Sequence, residues 1–493
     1  MILTVDLGTS VTKVMVWGED GPLASGRAPL QTSFAPGGRV EQDASTWWVS
    51  LVHACAVART GESGPSLFDA VVAVSFTGAR QTFVPVTADG RPVGPALVWS
   101  DRRAGDEAQV LARAVGGAEH VRQRTGMVLD GSAVAAKIAW LSNHEPDRLS
   151  EARWLLAPRD LAVWRMTGTV VTDVTMASAT GLYDATGAPL GELAGPALGL
   201  LPEPVPSTEV AGVLGEEAAG SLGLPPGIPV VVGAGDRACE VLGSGASPQR
   251  PMVSWGTTAN VSVPCAGRPV PLPPGVVATA GALGGWVVEG GLSAAGSLMA
   301  WLASVTGTEV EELMRAARAS PPGARGVTAT PWLGGARAPW WRDEARAAFV
   351  GLGFEHDVGD LARAALEAVA FDAARCLRAL RALPEAATPQ GLAASGELAK
   401  VGLWLDVLAG VSALSVRCRR FGEAASTGAA LVGARATGAV LELDRIDPVS
   451  ADHEPPLALV RRYQELWPVA ERVAGAVAAL GGGSAPPGAV TRG

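Results

Sequence analysis

The sequence predicts an α/β fold built from two similar halves. Short apolar runs typical of β-strands alternate along the chain with segments of helical spacing, as at Ala135 to Leu141. A short pattern near the N-terminus, Val5 to Ser10, occurs again at Val253 to Thr258. The chain of 493 residues has room for two to four domains at about 100–200 residues each, so the second copy falls where a second domain would begin.

The first half opens with a predicted β-hairpin. Ile2 to Val5 and Val11 to Trp17 are rich in apolar and β-branched residues, and a polar turn separates them. Further strands are predicted at Ala70 to Phe76 and Pro229 to Val232. The repeat predicts that a second hairpin opens the second half of the chain.

The clearest helix of the second half is predicted from Leu361 to Leu380. Its apolar residues recur at intervals of three and four, so one face is suited to a core. Asp357 and Asp360 are placed to cap its start. The last residues, 481–493, are rich in Gly, Ser and Pro and lack an apolar period, so we expect a disordered tail there.

Composition and charge favour a globular protein with a small-molecule ligand. With 48% hydrophobic and 18% charged residues, the chain is neither a disordered protein nor a coiled coil. The net charge is −9 and the basic residues form no run, which argues against a nucleic-acid partner. The sequence has no Walker loop, no dinucleotide-binding fingerprint and no nucleophile elbow, so those three kinds of site are excluded.

Cysteine usage and the N-terminal sequence predict a cytoplasmic protein. The five cysteines include no close pair, which fits neither a disulfide framework nor a zinc site. Met1 to Asp6 carries no basic region, and no apolar run reaches the ~18 residues of a membrane helix. We therefore expect no membrane association.

The turn of the first hairpin is the first candidate for chemistry. Asp6 ends a strand, Gly8 lets the backbone approach a ligand, and Thr9 and Ser10 add hydroxyl groups beside free amides. Such a turn can hold phosphate, and the carboxylate beside it can hold magnesium directly or through water. The alternative is an ordinary hairpin turn, which Asp and Gly also favour. The second copy, Gly256 to Thr258, lacks the acid, which favours one turn for metal and phosphate and one for phosphate alone.

Two further strand ends carry candidate residues. Asp236 follows an apolar strand and small residues, where its carboxylate is placed to accept a proton from a substrate hydroxyl. Arg80 and Gln81 also follow a predicted strand, and a guanidinium and an amide suit a hydroxyl-rich ligand. In both cases the alternative is an ordinary polar turn.

Several longer segments resemble the FGGY family of carbohydrate kinases, most closely its xylulokinase-like members. The resemblance runs in order from Asp6 to about Ala434 and covers most of the chain. The segments that carry it are Ser132 to His144, Ala347 to Leu352 with Asp360 to Glu367 after a spacer, Gly38 to Asp43 with Trp47 and Trp48, Trp99 to Arg103, and Pro331 to Pro339.

The resemblance implies two actin-like, ribonuclease H-type domains with an active-site cleft between them, where ATP and a sugar meet. It implies an N-terminal domain over 1–243, a C-terminal nucleotide-side domain over 244–440, and a helical extension over 441–480. It also implies site roles, with Asp6 on the magnesium side and Asp236 as the catalytic base. The nucleotide contacts implied are Gly8, Thr9, Ser10, Lys13, Gly256, Thr257, Thr258, Gly396 and Ala399, and the substrate contacts are Arg80, Gln81, Trp99, Asp101, Asp236 and Arg237.

The chain departs from the family pattern at three places. Arg237 follows Asp236 where Gln or Asn is usual, and its charge is expected to lower the Asp236 pKa or to contact an acidic group of the substrate. Ala79, Arg80 and Gln81 stand where xylulokinases usually have Gln-Met-His. The adenosine segment, commonly Gly-Gly-Gly-Ala, reads Gly396-Glu397-Leu398-Ala399.

These observations predict an ATP- and Mg²⁺-dependent kinase of a sugar hydroxyl, with a xylulose-like ketopentose as the expected substrate. Two alternatives stay open. One is a kinase of another polyol, a sugar acid or a cyclitol, and the other is a catalytically silent sensor that binds sugar or nucleotide. The oligomeric state is open between a monomer and a homodimer.

Overall fold

Two mixed β-sheets, each flanked by helices, form the framework of the protein. The computed structural model describes residues 1–61 and 64–480, so the predicted disordered tail at 481–493 lies outside the described residues. Among the described residues, no helix combines the length and apolar character needed to cross a membrane. All five cysteines are buried and free, as expected from their spacing.

The strands of the first half are β1 (Ile2–Leu7), β2 (Val11–Gly18), β3 (Gly21–Pro29), β4 (Ser33–Ala35), β5 (Arg39–Gln42), β6 (Ala73–Gly78), β7 (Val84–Val86), β8 (Ala96–Leu97), β9 (Trp154–Leu156), β10 (Thr172–Asp173), β11 (Pro204–Val205), β12 (Val210–Val213) and β13 (Pro229–Gly235). Those of the second half are β14 (Met252–Trp255), β15 (Ala259–Cys265), β16 (Val277–Ala280), β17 (Trp286–Leu292), β18 (Thr328–Thr330), β19 (Ala348–Val350), β20 (Gly391–Ser395), β21 (Ser415–Arg419) and β22 (Val449–His453).

The helices of the first half are α1 (Ser45–Ala58), α2 (Gly64–Asp69), α3 (Gly105–Ala114), α4 (Ala118–Thr125), α5 (Val134–His144), α6 (Pro146–Ser150), α7 (Pro158–Thr167), α8 (Val174–Ala179), α9 (Gly191–Ala194), α10 (Glu216–Leu222) and α11 (Asp236–Ser244). Those of the second half are α12 (Gly296–Thr306), α13 (Val310–Ala319), α14 (Val358–Leu380), α15 (Gly402–Ser412), α16 (Ala424–Thr437), α17 (Leu443–Ile446) and α18 (Leu457–Leu480).

The two main sheets repeat one topology, which explains the internal sequence repeat. The first has the strand order β12-β13-β6-β1-β2-β3, and the second has β16-β17-β15-β14-β20-β21-β22. In the first, β1 pairs antiparallel with β2 and parallel with β6. In the second, β14 pairs antiparallel with β15 and parallel with β20. Both predicted hairpins are therefore present at the centre of their sheets.

The other sequence predictions differ from the structure mainly at element ends. Strand β6 begins at Ala73, three residues after the predicted start, because helix α2 and the turn after it occupy the preceding residues. Helix α14 begins at Val358, and the Asp357 and Asp360 side chains form a reciprocal capping box there, which confirms the predicted cap. The segment 441–480 is not purely helical, because β22 pairs with β21 and extends the second sheet.

The two halves meet where helix α11 packs against helix α16. A β-carbon at Gly243 of α11 would collide with the carbonyl oxygen of Ala424, and one at Gly428 of α16 would collide with the carbonyl oxygen of Cys239. Glycine at both positions therefore brings the two backbones into direct contact. This contact sets the position of the first residue of α11, Asp236, relative to the second half.

Candidate active site

A cavity of about 310 Å³ lies between the two halves, where loops from both sheets meet. Its walls come from the first hairpin turn, the loop after β6, the start of α11, and strands β15 and β17. The sequence-predicted site residues that line it are Thr9, Arg80, Gln81, Trp99, Asp236, Arg237 and Thr258. The structure thus gathers in one cavity predicted site residues that lie up to 249 positions apart in the sequence, from Thr9 to Thr258.

The first hairpin turn brings the Thr9 hydroxyl to this cavity, whereas Asp6, at the end of β1 beside the turn, is not among the residues that line it. The Gly8 amide donates a hydrogen bond to the Val11 carbonyl oxygen across the turn, and the Thr9 hydroxyl accepts one from the Trp99 indole at 3.0 Å. Burial raises the pKa of Asp6 to about 6, and the carboxylates of Asp236, Glu240 and Glu423 add to the rise while Lys13 opposes it. Asp6 therefore lies in a locally acidic environment.

Lys13 forms an ion pair with a residue of the other half of the chain, Glu423. Its ammonium group lies 2.7 Å from a carboxylate oxygen of Glu423, which also binds Arg27. Lys13 is opposite Asp6 in the β1–β2 register, so the two residues share one stretch of the hairpin. In this structure the Lys13 ammonium group therefore binds Glu423, although the family resemblance implies that it contacts the nucleotide.

The second hairpin turn mirrors the first on the other side of the cleft. The Gly256 amide donates to the Thr258 carbonyl oxygen at 2.9 Å, and the Thr257 carbonyl oxygen accepts from the amides of Ala295 and Ser297. Thr258 reaches the same cavity as Thr9. The two turns therefore face one space, an arrangement suited to a ligand with several phosphates.

Asp236 is the first residue of helix α11 and lines the cavity with 46% of its side chain exposed. Its Oδ1 accepts a hydrogen bond from the Arg237 amide at 2.6 Å and lies 3.2 Å from Arg80 Nε. Burial within the cleft raises its pKa, although Arg80 and Arg237 act in the opposite direction. Arg237 therefore acts on the Asp236 pKa in the expected direction, although the net shift is upward.

Arg237 itself pairs with carboxylates of the protein. Its guanidinium binds Glu240, one turn further along α11, and its Nε lies 3.5 Å from Glu289 Oε2. The sequence suggested that the Arg237 guanidinium contacts an acidic group of the substrate. In this structure Glu240 and Glu289 of the protein pair with it instead.

The loop after β6 is held in an unusual conformation. Gln81 has φ of 61°, in the left-handed region that residues with side chains rarely adopt. The buried ammonium of Lys137 donates hydrogen bonds to the carbonyl oxygens of Gln81 and Val98. Two cavity-lining segments, one bearing Gln81 and one bearing Trp99, are thereby tied to helix α5.

Asp101 lies outside the cavity, in contrast to its implied substrate contact. Its side chain is fully buried, where it accepts a hydrogen bond from the Val40 amide at 2.6 Å and pairs with Arg103 at 2.7 Å. These contacts fix strand β5 to the loop that carries Trp99. In this structure the Asp101 oxygen atoms are thus engaged within the protein.

Gly396 and Ala399 form one 3-10 turn at the end of β20, beside the second hairpin. Gly396 has φ of 87°, and a β-carbon there would collide with the Trp255 carbonyl oxygen, so this glycine is required. The Ala399 amide donates to the Gly396 carbonyl oxygen at 3.0 Å. The structure does not place either residue in the 310 Å³ cavity.

Among the cavity residues that had no site role from the sequence, four carry charged or amide side chains: Asp130, Asn260, Glu289 and Arg337. Glu289 is buried in β17, and Oε2 of its carboxylate accepts a hydrogen bond from Asn260 at 2.9 Å. The sequence did contain a signal for Glu289, because it is the single charged residue in the otherwise apolar strand β17. Charged residues are rarely buried without a partner, so this position could have been predicted to form an ion pair. Arg337 comes from an irregular segment that carries no comparable signal.

The site does not hold a metal ion by protein ligands alone. Within residues 1–61 and 64–480, no three His, Cys, Asp or Glu side chains group in a way that could bind one. Mg²⁺, however, is commonly held by one or two carboxylates together with substrate phosphates. Asp6 lies at the end of β1 beside the turn of Gly8 and Thr9, and a divalent cation there would supply positive charge to a carboxylate whose pKa is raised by burial. Asp6 therefore fits such a role.

Two similar domains that hold a carboxylate and two phosphate-type turns around one cleft define a phosphotransferase with the actin-like, ribonuclease H-type fold. The chain belongs to the FGGY family of carbohydrate kinases. The family's N-terminal domain matches residues 1–243 and its C-terminal domain matches residues 252–437. The protein is thus an enzyme that transfers a phosphoryl group to a sugar hydroxyl, with ATP as the phosphate donor of such kinases.

Relatives with different substrates cover nearly the whole chain. The chain is 32% identical to the xylulose kinase of Streptomyces rubiginosus, with 96% of this chain and 93% of the relative covered. It is 25% identical to the gluconokinase of Bacillus subtilis, over 95% of this chain and 94% of that one. The crystal structure of a xylulose kinase from Brucella ovis superposes with a TM-score of 0.87 at 29% identity, over 97% of this chain and 99% of that chain.

Proposed function

We propose that the enzyme phosphorylates a ketopentose of the xylulose type, with Asp236 as the general base. The observation that supports this most is that Asp236 lies at one cavity with Thr9 and Thr258 of the two facing turns. A base there is adjacent both to the expected phosphates and to space for a sugar. The raised pKa of Asp236 brings it closer to the value that suits a base at neutral pH.

In this proposal the two domains divide the nucleotide between them. The N-terminal domain, 1–243, supplies the turn of Gly8, Thr9 and Ser10, and the C-terminal domain, 244–440, supplies the turn of Gly256, Thr257 and Thr258. Gly396 and Ala399 lie beside the second turn, on the adenosine side, and Lys13 would have to exchange Glu423 for phosphate. Mg²⁺ held by Asp6 would neutralise charge on the phosphates, as in other phosphoryl transfers.

The sugar would occupy the cavity that Asp236 and several other polar residues line. Gln81 offers an amide group to hydroxyls, and Trp99 offers an indole face. Phosphoryl transfer depends mainly on positioning and charge neutralisation, so these contacts would orient one hydroxyl toward Asp236. The xylulose kinase relatives support a ketopentose as this substrate.

A second candidate substrate is a sugar acid, and Arg337 is the observation that favours it. Among the described residues, Arg337 has no ion pair, and its buried Nε has no hydrogen-bond partner. Burial lowers its pKa, and the nearby charge of Arg102 lowers it further while Asp130 opposes them. A substrate carboxylate would supply the missing acceptor at the cavity wall. The gluconokinase relatives support this candidate.

The test is Mg²⁺-dependent ADP release from ATP with D-xylulose, D-ribulose, D-gluconate, glycerol and myo-inositol, and with no sugar. We expect one compound to stimulate release, and Asp236→Asn to lower that rate by about 10²–10⁴-fold while nucleotide binding persists. Near-normal turnover by Asp236→Asn would remove Asp236 from the role of base. Nucleotide binding without stimulation by any compound would show that none of these five compounds is the substrate, and both substrate candidates would then be wrong.

Arg337→Gln separates the two substrate candidates. If the substrate is a sugar acid, this variant loses about 10²-fold in kcat/KM for D-gluconate, because a charged hydrogen bond is lost. Its activity with the neutral sugars should change little. If D-xylulose is the substrate and Arg337→Gln matches the wild type, the sugar-acid candidate is wrong.

A further inference from the structure

Arg80 lies between two carboxylates that belong to different domains. Its Nε is 3.2 Å from Asp236 Oδ1, at the start of α11. Its two terminal nitrogens lie 2.8 Å and 3.3 Å from the two oxygens of Glu289, on β17 of the other domain. The guanidinium therefore makes a two-pronged contact with Glu289 and a single contact, through Nε, with Asp236.

Glu289 is held firmly in the position from which it binds Arg80. Its side chain is 3% exposed, and Asn260 donates a hydrogen bond to Oε2 at 2.9 Å. Arg237 Nε lies 3.5 Å from the same oxygen. Arg80 and Arg237 outweigh the effect of burial and lower the pKa of Glu289, so the group is a carboxylate at neutral pH.

The two carboxylates share one guanidinium, each through different nitrogen atoms. A planar guanidinium can form the favoured two-pronged contact with only one carboxylate along one edge, and here Glu289 takes that edge. The contacts of Asp236, with Arg80 Nε and the Arg237 amide, both go to Oδ1. Among the described residues, no hydrogen bond reaches Oδ2 of Asp236, which leaves this oxygen free to accept a proton.

We propose that Glu289 is a positioning residue for phosphoryl transfer, which holds Arg80 by two prongs and so leaves Oδ2 of Asp236 available to the substrate hydroxyl. The inference rests on the proposed role of Asp236 as the base. In the step itself, the substrate oxygen forms the new bond to the γ-phosphorus and its proton passes to Oδ2. The bond from the γ-phosphorus to the bridging oxygen breaks, and its electron pair leaves with ADP.

Because Glu289 belongs to the other domain, the availability of Asp236 Oδ2 depends on how the two domains are arranged. Asp236 and Arg80 belong to the N-terminal half, whereas Glu289 and its partner Asn260 belong to the C-terminal half. Withdrawal of Glu289 would leave Arg80 with Asp236 as its nearest carboxylate, and the two-pronged contact would then engage both oxygens of the base. Phosphoryl transfer is therefore favoured when the two halves are together.

The experiment is a double-mutant cycle on Glu289→Gln and Arg80→Gln, assayed with whichever of D-xylulose and D-gluconate the wild type phosphorylates. Glu289→Gln keeps the shape of the side chain, and we expect kcat to fall by about 10–100-fold with nucleotide affinity within about twofold of the wild type. Because Glu289 acts through Arg80, the double variant should lose no more than Arg80→Gln alone. Glu289→Asp, which keeps the charge, should recover part of the loss.

Losses that multiply in the double variant would overturn the inference, since two independent structural effects behave in that way. A wild-type kcat for Glu289→Gln would overturn it as well. If Glu289→Gln does not fold, Asn260→Ser loosens the same carboxylate, and its loss of about 3–10-fold in kcat should likewise vanish in the Arg80→Gln background. Full additivity there would also contradict the inference.

Asp236→Asn separates this inference from the proposed function. If Asp236→Asn keeps near-normal turnover, Asp236 is not the base, and the proposed function fails together with the role of Glu289. If Asp236→Asn is inactive but the losses of Glu289→Gln and Arg80→Gln multiply, only the role of Glu289 is wrong.

Discussion

The ammonium group of Lys137 donates a hydrogen bond to the carbonyl oxygen of Gln81, 3.1 Å away, and thereby holds a residue whose φ is 61°. A second hydrogen bond, of 2.9 Å, joins Lys137 to Val98. Lys137 is fully buried, and burial lowers its pKa to about 7, with Arg103 adding to the fall and Asp101 and Asp130 opposing it. This lysine thus stabilises a strained loop at the cost of burying a charge.

The buried Lys137 should make the unfolding free energy depend on pH. Between pH 7 and 10.5 the unfolded chain holds a proton on Lys137 that the folded protein has released, so stability from this group rises with pH. The unfolding free energy of the wild type minus that of Lys137→Met should therefore increase by up to about 1.4 kcal/mol per pH unit above pH 7. Urea unfolding at pH 7, 8 and 9 measures the difference. Lys400→Met is the control for an exposed lysine, and an equal rise in both comparisons would contradict the prediction.

Asp6→Asn should weaken activation by Mg²⁺ more than it affects nucleotide binding without metal. The variant keeps the size of the side chain but removes the charge that a divalent cation needs. We expect the Mg²⁺ concentration for half-maximal rate to rise by about 10–100-fold. Titration of Mg²⁺ at saturating ATP measures this, with the exposed Asp43→Asn as the matched control. An unchanged Mg²⁺ requirement would show that Asp6 is not on the metal side.

The capping box of helix α14 offers a test of stability that leaves the active site unchanged. Asp357 accepts hydrogen bonds from the amides of Gly359 and Asp360, and its side chain is exposed. Asp357→Ala should lower the unfolding free energy by about 1 kcal/mol, whereas Asp357→Asn should retain most of it. Urea unfolding compares the two variants, and equal losses would show that the side-chain cap contributes nothing.

A methyl group at the contact between α11 and α16 should be poorly tolerated. Gly428→Ala places a β-carbon against the Cys239 carbonyl oxygen, and we expect a loss of about 1–3 kcal/mol in the unfolding free energy. Gly220→Ala is the matched control, because Gly220 lies in helix α10 with open space around it and its substitution should be neutral or slightly stabilising. Similar unfolding midpoints for the two variants would show that α16 can move away at little cost.

The parts of the fold that the sequence predicted are those set by local signals. The two hairpins follow from strand periodicity and turn residues, and the α14 cap follows from acids at fixed positions before an apolar helix. The repeated turn predicts that Thr9 and Thr258 serve one ligand from opposite sides, and both residues do line the same cavity. Each of these signals lies within a short stretch of chain, so a single sequence is sufficient to reveal it.

What the sequence could not predict depends on partners that are distant in the chain. Asp101 was assigned to the substrate, yet its oxygens are taken by Val40 and Arg103. The pKa of Asp236 rises although two arginines lie beside it, because its burial is a property of the assembled cleft. The part that Glu289 plays beside Arg80 depends on β17 meeting a loop of the other domain.

The contact of Gly243 with α16 also has a mechanical consequence for Asp236. Asp236 lies seven residues before Gly243 on the same helix, which corresponds to a lever arm of about 10 Å at about 1.5 Å per residue. At Gly243 and Gly428 the two backbones touch directly, and the buried side chains of Ala238, Cys239 and Ala429 pack around this contact. A rotation of one half by about ten degrees about this contact would displace Asp236 by about 2 Å and would move more distant parts of the cleft wall further. The base therefore lies where a change in the width of the cleft moves it little.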